Sequence, residues 1–293
     1  MNIELLLVTL LSHIIFDFVL QFEFIRNDRF PFCKEDGRDI FRKNILLKTI
    51  KGNLIHTFLH LIGLYTILGI LQYLKNNPIY ISFWMVVLIC VIHFVIDETK
   101  SIIYLFRTSS KNNVWIFLLD QVFHIVSISA IIYNFRFLML INVLKYKLIN
   151  YPNGFTLTEK LLITVMVFFV CTWAVGIFIK IFVNYIIGNK NNLVTDDGLG
   201  KNIIDENGNI IKIALSEAKN GGFIIGILER ILILISIVIN YPAMIGFVLT
   251  AKSVARLKKL SNDSFAEYFI IGTFISFMSA LTGGVIVKSL FLK

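Results

Sequence analysis

Seven stretches of this chain are apolar over about the 20 residues that a helix needs to cross a bilayer: 3–22, 53–74, 79–97, 114–134, 160–187, 223–240 and 264–290. A shorter run at 241–256 makes an eighth if Asn240, Tyr241 and Pro242 form a tight helical return. Spans of this kind satisfy their own backbone polar groups as helices. The expected fold is therefore all-α, a polytopic transmembrane helical bundle of about eight spans. Composition agrees: 57% of the residues are hydrophobic, against roughly 45–50% in a soluble chain, and mean hydropathy is +0.78. The first run lacks a basic leader and carries His13, Asp17 and Gln21, so it is not expected to be a cleaved signal peptide.

The net charge of +9 would suit a nucleic-acid partner, but most Lys and Arg lie between the spans, where the positive-inside rule puts them. No nucleic-acid partner is expected. Loop 23–52 carries eight basic residues, from Arg26 and Arg29 to Lys51, while residues 1–4 carry no basic side chain. That asymmetry places the N-terminus outside and 23–52, 98–113, 188–222 and 252–263 in the cytoplasm. The expected external connections are 75–78, 135–159 and 240–242, with Lys145 and Lys147 as counter-evidence. Alternating basic and apolar residues in 23–52 suggest an interfacial amphipathic segment. In loop 188–222, Asn207-Gly208 between Ile-rich flanks signals a small cytoplasmic hairpin. The division reads as a four-span bundle over 1–144, a linker over 145–159 and a second four-span bundle over 160–293. Cys33, Cys90 and Cys171 are isolated, which indicates neither a thiolate site nor a disulfide framework. TDDGLG lacks the spacing of a Ca loop, and GLGK is too short for a phosphate-binding loop.

All five histidines lie in the first 124 residues, each four positions from another His or an Asp: His13/Asp17, His56/His60, His93/Asp97 and Asp120/His124. Positions i and i+4 share one helix face, so each of four spans presents one pair of metal-capable groups. Counted from the cytoplasmic ends at 1.5 Å per residue, the four pairs fall at one depth. Ionisable groups inside spans are functional candidates by default, and bundle-core metal sites are assembled from such pairs. All eight residues are candidate ligands of a divalent transition metal, Zn first, with Mn or Fe also suited to a His/Asp shell without sulfur. They suffice for one ion, or for two sharing carboxylates. His56, His60, His93 and Asp97 are the strongest ligand candidates, and Asp17 or Asp120 the catalytic base. The bland alternative is polar contacts joining helices, and a proton relay is a further rival. Gln21 and Gln121 can orient ligands. Lys100, near Asp97 on its face, can meet an anionic substrate or snorkel to the interface.

In the second half Glu229, Arg230, Lys252, Arg256 and Glu267 gather at cytoplasmic span ends. They read as an interhelical ion-pair network, or as a headgroup site in which Arg230, Lys252 and Arg256 bind substrate phosphate. Gly222 and Gly226 have the small-xxx-small spacing of close helix packing.

At HIIFDFVLQ, HTFLH, HFVIDETK and LLDQVFH, then GGFIIGILERILI, AKSVARLKKL and EYFIIGTFIS, the chain resembles a family of bacterial integral membrane proteins known only as a domain of unknown function. Its members are often encoded beside SatD-type proteins, and the resemblance implies the bacterial cytoplasmic (inner) membrane. The HxxxD and HxxxH motifs are also similar to those of membrane-embedded metal-dependent hydrolases, including the superfamily that contains the alkaline ceramidases. Three functions are therefore weighed. The first is a metal-dependent hydrolase of a lipid or other anionic amphiphile at the cytoplasmic leaflet. The second is a metal-ion or proton-coupled transporter, and the third a membrane scaffold or sensor for a cytoplasmic protein partner.

Overall fold

The computed structural model describes residues 3–31, 44–75, 80–106, 113–188, 201–204, 210–213, 221–260 and 263–292. The chain begins with α1 (Ile3–Ile14), continued by a π-helical turn (Ile15–Val19), and α2 (Glu23–Arg29). It goes on through α3 (Ile45–Lys75), α4 (Phe83–Phe106), α5 (Val114–Ile132) and α6 (Phe137–Ile149). Next, α7 (Leu157–Phe169) passes through a second π-helical turn (Val170–Ala174) into α8 (Val175–Gly188). Strands β1 (Lys201–Ile204) and β2 (Ile210–Ile213) precede α9 (Gly221–Val238), α10 (Ala243–Val254), α11 (Leu257–Leu260) and α12 (Asp263–Phe291).

Among the described residues, five helical stretches are long and apolar enough to cross a membrane: Ile45–Lys75, Val114–Ile132, Leu157–Ile186, Gly221–Val238 and Phe265–Phe291. A sixth is counted if Ile3–Val19 and Glu23–Arg29, bent by 91°, form one broken span. Two expected spans fall outside this set for different reasons. In α4, every 18-residue stretch contains Asp97, Glu98 and Lys100; α10 is apolar but only 12 residues long.

The protein is apolar outside and polar inside. Phe58, Val91, Val95, Leu119 and Phe123 are exposed, whereas His56, Asp97 and His124 are buried. In water this arrangement would be costly; in hydrocarbon the apolar faces meet lipid and the polar groups face one another. The chain is an integral membrane protein.

Local sequence explains the helix ends. Asn134 and Asn240 take left-handed conformations, at φ 48° and 61°, just beyond α5 and α9. The next amides reach back to close the ends, Phe135 N to Ala130 O at 2.7 Å and Tyr241 N to Ser236 O at 2.8 Å. This is the Schellman closure that Asn tolerates, and at Asn240 it makes the tight return expected there. Thr156 and Glu159 form a capping box that starts α7.

The structure departs from the expected segmentation at Ile45 and at residues 137–149. Ile45 opens α3, eight residues before the apolar run, because the basic turns ahead of it continue the helix. Residues 137–149, expected as part of a connection, are helical, and none of their side chains is buried. The hairpin pairs Lys201 with Ile213 through Ile204 with Ile210, while the Asn207-Gly208 signal lies outside the described residues.

Helix α1 packs against α3, α5 and α7. One apolar core gathers Leu5, Val8 and Leu11 with Leu64, Leu68, Val86, Ile128, Ile132 and, from the second half of the chain, Leu162. A second core joins Cys171, Ile233, Leu234, Ile245 and Ala280. The stretch 157–188 therefore bridges both halves.

Candidate metal centre

The four pairs meet inside the first bundle. His13 leaves the end of α1 and Asp17 the π-helical turn that follows; α3 supplies His56 and His60, α4 His93 and Asp97, and α5 Asp120 and His124. The five imidazoles form one packed group, with neighbouring ring centroids 4.1 Å (His60–His93), 4.4 Å (His93–His124) and 4.5 Å (His56–His60) apart. His13 closes it at 4.7 Å from His124.

Asp17 reaches this group because its turn is wide. Leu20 N bonds Ile15 O at 2.9 Å, five residues back, the hydrogen bond of a π-bulge, a feature frequent at functional sites. Gly63 of α3 makes the turn possible, since a Cβ there would overlap the Phe16 ring.

Donor atoms converge. His56 Nε2 lies 3.0 Å from Asp17 Oδ1 and 3.1 Å from His60 Nε2. His93 Nε2 lies 3.3 Å from Asp97 Oδ2, and His124 Nε2 lies 3.5 Å from Asp97 Oδ1 and 3.7 Å from Asp120 Oδ1. Three sets have all their donors within 4.8 Å of one another: His13, Asp17, His60 and His93; Asp17, His56, His93 and Asp97; Asp97, Asp120 and His124. Tetrahedral ligands at about 2.1 Å from one ion sit about 3.4 Å apart, so the widest pairs of each set need to close by about 1 Å. Asp97 belongs to two of the sets and can bridge them.

His93 Nε2, His124 Nε2, Asp97 Oδ2 and Asp120 Oδ1 are buried and lie against one another without a well-formed hydrogen bond, where buried polar atoms are normally satisfied. Imidazole nitrogens facing carboxylate oxygens in this way form a donor set that suits a divalent transition metal.

An outer layer holds the carboxylates. Arg29, from α2, is fully buried; its Nη2 lies 2.8 Å from Asp97 Oδ1, and its Nε donates to Asn53 Oδ1 at 2.8 Å. Asn53 Nδ2 donates to Glu98 Oε2 at 2.7 Å and Ser101 Oγ at 3.0 Å, and Thr49 Oγ1 donates to Glu98 Oε1 at 2.7 Å. Lys100 Nζ donates to Asp120 Oδ2 at 2.6 Å. Gln121 Nε2 donates to Asp17 Oδ2 and Asp120 Oδ2, each at 3.0 Å, and its Oε1 lies 3.4 Å from His13 Nε2. Such partners orient ligands and tune them.

The sequence reading did not single out Arg29, Asn53, Glu98, Ser101 or Thr49. A signal existed for some of them. Thr49, Asn53, His56 and His60 recur at helical spacing, so the polar stripe of α3 begins two turns before its first histidine. Arg29 had no such signal. Segment 23–52 reads as an interfacial connector, yet α2 packs against α3 because Gly52 lets the Asp28-Arg29 backbone approach; a Cβ there would stand 2.7 Å from Arg29 N.

The second-half residues form a separate group. Arg230, also buried, donates from Nε and Nη2 to Thr172 O at 3.2 and 2.7 Å, and from Nη1 to Ser276 Oγ at 3.2 Å. Thr172 belongs to the second π-helical turn. Lys252 Nζ donates to Glu229 Oε2 at 2.6 Å. Gly226 leaves space for the Arg230 guanidinium on its own helix, and Gly222 lies beneath Arg256. Gly226 thus accommodates the arginine of its own helix, and Gly222 faces Arg256 from beyond α10. Between the two groups the Ile15–Val19 turn packs on the Val170–Ala174 turn, and α5 packs on α8.

No curated protein and no solved structure matches the chain. A family model described as "Protein of unknown function (DUF3307)" matches residues 5–151, which contain all eight His and Asp donors together with Arg29, Asn53, Glu98, Lys100 and Gln121. The chain belongs to that family.

Proposed function

We propose that this protein is a multipass membrane metalloenzyme that hydrolyses a lipid or other anionic amphiphile at the cytoplasmic leaflet. The observation that carries the metal is the set of buried donors on His93, His124, Asp97 and Asp120, which face one another between α4 and α5 without a well-formed hydrogen bond. Asp17, His56, His93 and Asp97 are its central ligands, with His13, His60, Asp120 and His124 completing one or two sites. Zn fits this shell first, and Mn or Fe next. Such an ion lowers the pKa of bound water and polarises a scissile oxygen. Asp120 or Asp17 then acts as base; Gln121 holds both carboxylates. In this reading α4 and α10 also cross or enter the bilayer, which brings the spans to eight, with both termini external.

Apolar packing favours an enzyme over a transporter. Beyond the imidazoles and the small space they border, the bundle is packed by Leu5, Val8, Leu11, Leu64, Leu68 and Val86, so few polar groups continue toward that end. A transporter needs a polar route to each face in turn. On the polar side Lys100 is the cation nearest the donors, positioned to meet an anionic headgroup. Arg256 and Lys252 supply further positive charge at the same membrane face, and Arg230 positions the second π-helical turn against the site.

Purified protein is expected to retain a transition metal by elemental analysis, and His56→Ala with His60→Ala to lose it while still inserting. Active wild-type protein free of metal would sink this reading. In proteoliposomes no metal flux is expected; robust uptake abolished by Asp97→Asn would make the transporter the better reading.

A further inference from the structure

A small cavity adjoins the imidazoles on the side away from Arg29 and Lys100. Ser12 and His13 of α1, Thr57 and His60 of α3, and Cys90 and His93 of α4 line it. Its volume of about 20 Å³ matches one water, for which roughly 10–15 Å³ suffices.

Two hydroxyls at this cavity behave unlike other hydroxyls of these helices. Thr9, Thr66, Thr99 and Thr164 each donate to the carbonyl one turn back, at 2.7 to 2.9 Å, which is how helical Ser and Thr usually satisfy themselves. Ser12 Oγ and Thr57 Oγ1 are buried and make no hydrogen bond, and His13 Nδ1 beside them is also unpartnered. Three orphaned polar atoms around a water-sized space in an otherwise apolar region call for a small polar occupant with two to four partners.

We infer that this cavity holds the exogenous oxygen ligand of the centre, a single water or hydroxide hydrogen-bonded by Ser12 and Thr57. The inference rests on the metal reading above and adds where its open position points. Carboxylates and their cations occupy one side of the cluster; the His60 and His93 imidazoles border the cavity on the other. Ser12 and Thr57 are therefore positioning residues, and the space admits no ligand larger than one or two heavy atoms unless Leu61 or Ile89, which also line it, move aside.

The test uses full-length protein loaded with Mn2+ and transferred to D2O, read by electron spin-echo modulation from exchangeable deuterons. Wild-type protein should show a directly coordinated water. Cys90→Leu fills the cavity without replacing a donor and should remove that water while Mn2+ stays bound. Ser12→Ala with Thr57→Val, which keeps the volume nearly constant, should weaken or remove the same signal and covers the case in which Cys90→Leu does not fold. Bound Mn2+ with unchanged water coupling in both variants would overturn this inference alone. Failure of wild-type protein to bind Mn2+, Zn2+ or Fe2+ would overturn the metal reading and the inference with it.

Discussion

Arg29 and Asp97 carry the sharpest consequence at the scale of single residues. Both are buried in the bundle and lie 2.8 Å apart. Removing one partner of a buried pair leaves an uncompensated charge and typically costs about 3–5 kcal/mol. Arg29→Met should therefore destabilise the metal-free protein by roughly that amount, measured as thermal unfolding in detergent with a chelator present. Arg29→Met with Asp97→Asn should recover part of the loss, because the orphaned charge is gone. An Arg29→Met protein as stable as wild type would show that Asp97 is neutral or otherwise paired. The His and Asp identities were legible from i,i+4 spacing, since every pair shares a helix face by geometry. Arg29 was not legible: its partner lies 68 positions away, and nothing in EFIRNDRF distinguishes a snorkelling arginine from a buried one.

Two glycines and a wide turn set the site at the scale of elements. Gly63 admits the Phe16 ring, and that ring anchors the π-helical turn that carries Asp17. Gly63→Val should expel Phe16, rotate Asp17 away from His56 and weaken metal affinity by about 10- to 100-fold, the range for lost supporting contacts. Gly69→Val in the same helix is the control, since a Cβ there meets nothing within 4 Å. Titration with a competing chelator distinguishes them, and equal affinities would separate the turn from metal binding. Both π-helical turns escaped sequence reading, because an inserted residue in a helix leaves apolar periodicity almost unchanged while shifting every side chain beyond it.

At the scale of the whole molecule, the described helices turn large apolar side chains outward and bury the His/Asp group with Arg29. A ligand that binds only the folded state stabilises it by RT ln(1 + [L]/Kd), about 2.7 kcal/mol at a hundredfold excess over Kd. Chelation should accordingly lower the unfolding midpoint of wild-type protein and leave that of His56→Ala with His60→Ala unmoved. Orientation is tested separately. After replacement of the native cysteines, Asp205→Cys should label from the cytoplasmic side only, as the basic loops require; labelling only from outside would reverse the topology without removing the site.

Membrane insertion, helical class and the convergence of eight donors were determined by sequence, because each follows from local rules: apolar length, i,i+4 geometry and loop charge. The tertiary structure decided which helix lies against which. It brought Arg29 under Asp97, opened the two π-helical turns, joined Leu162 of the second half to the core of the first and left Ser12 and Thr57 facing a water-sized space. These depend on close approach between segments far apart in the chain, set by glycines whose missing side chains mean something only once the neighbour that fills the gap is known.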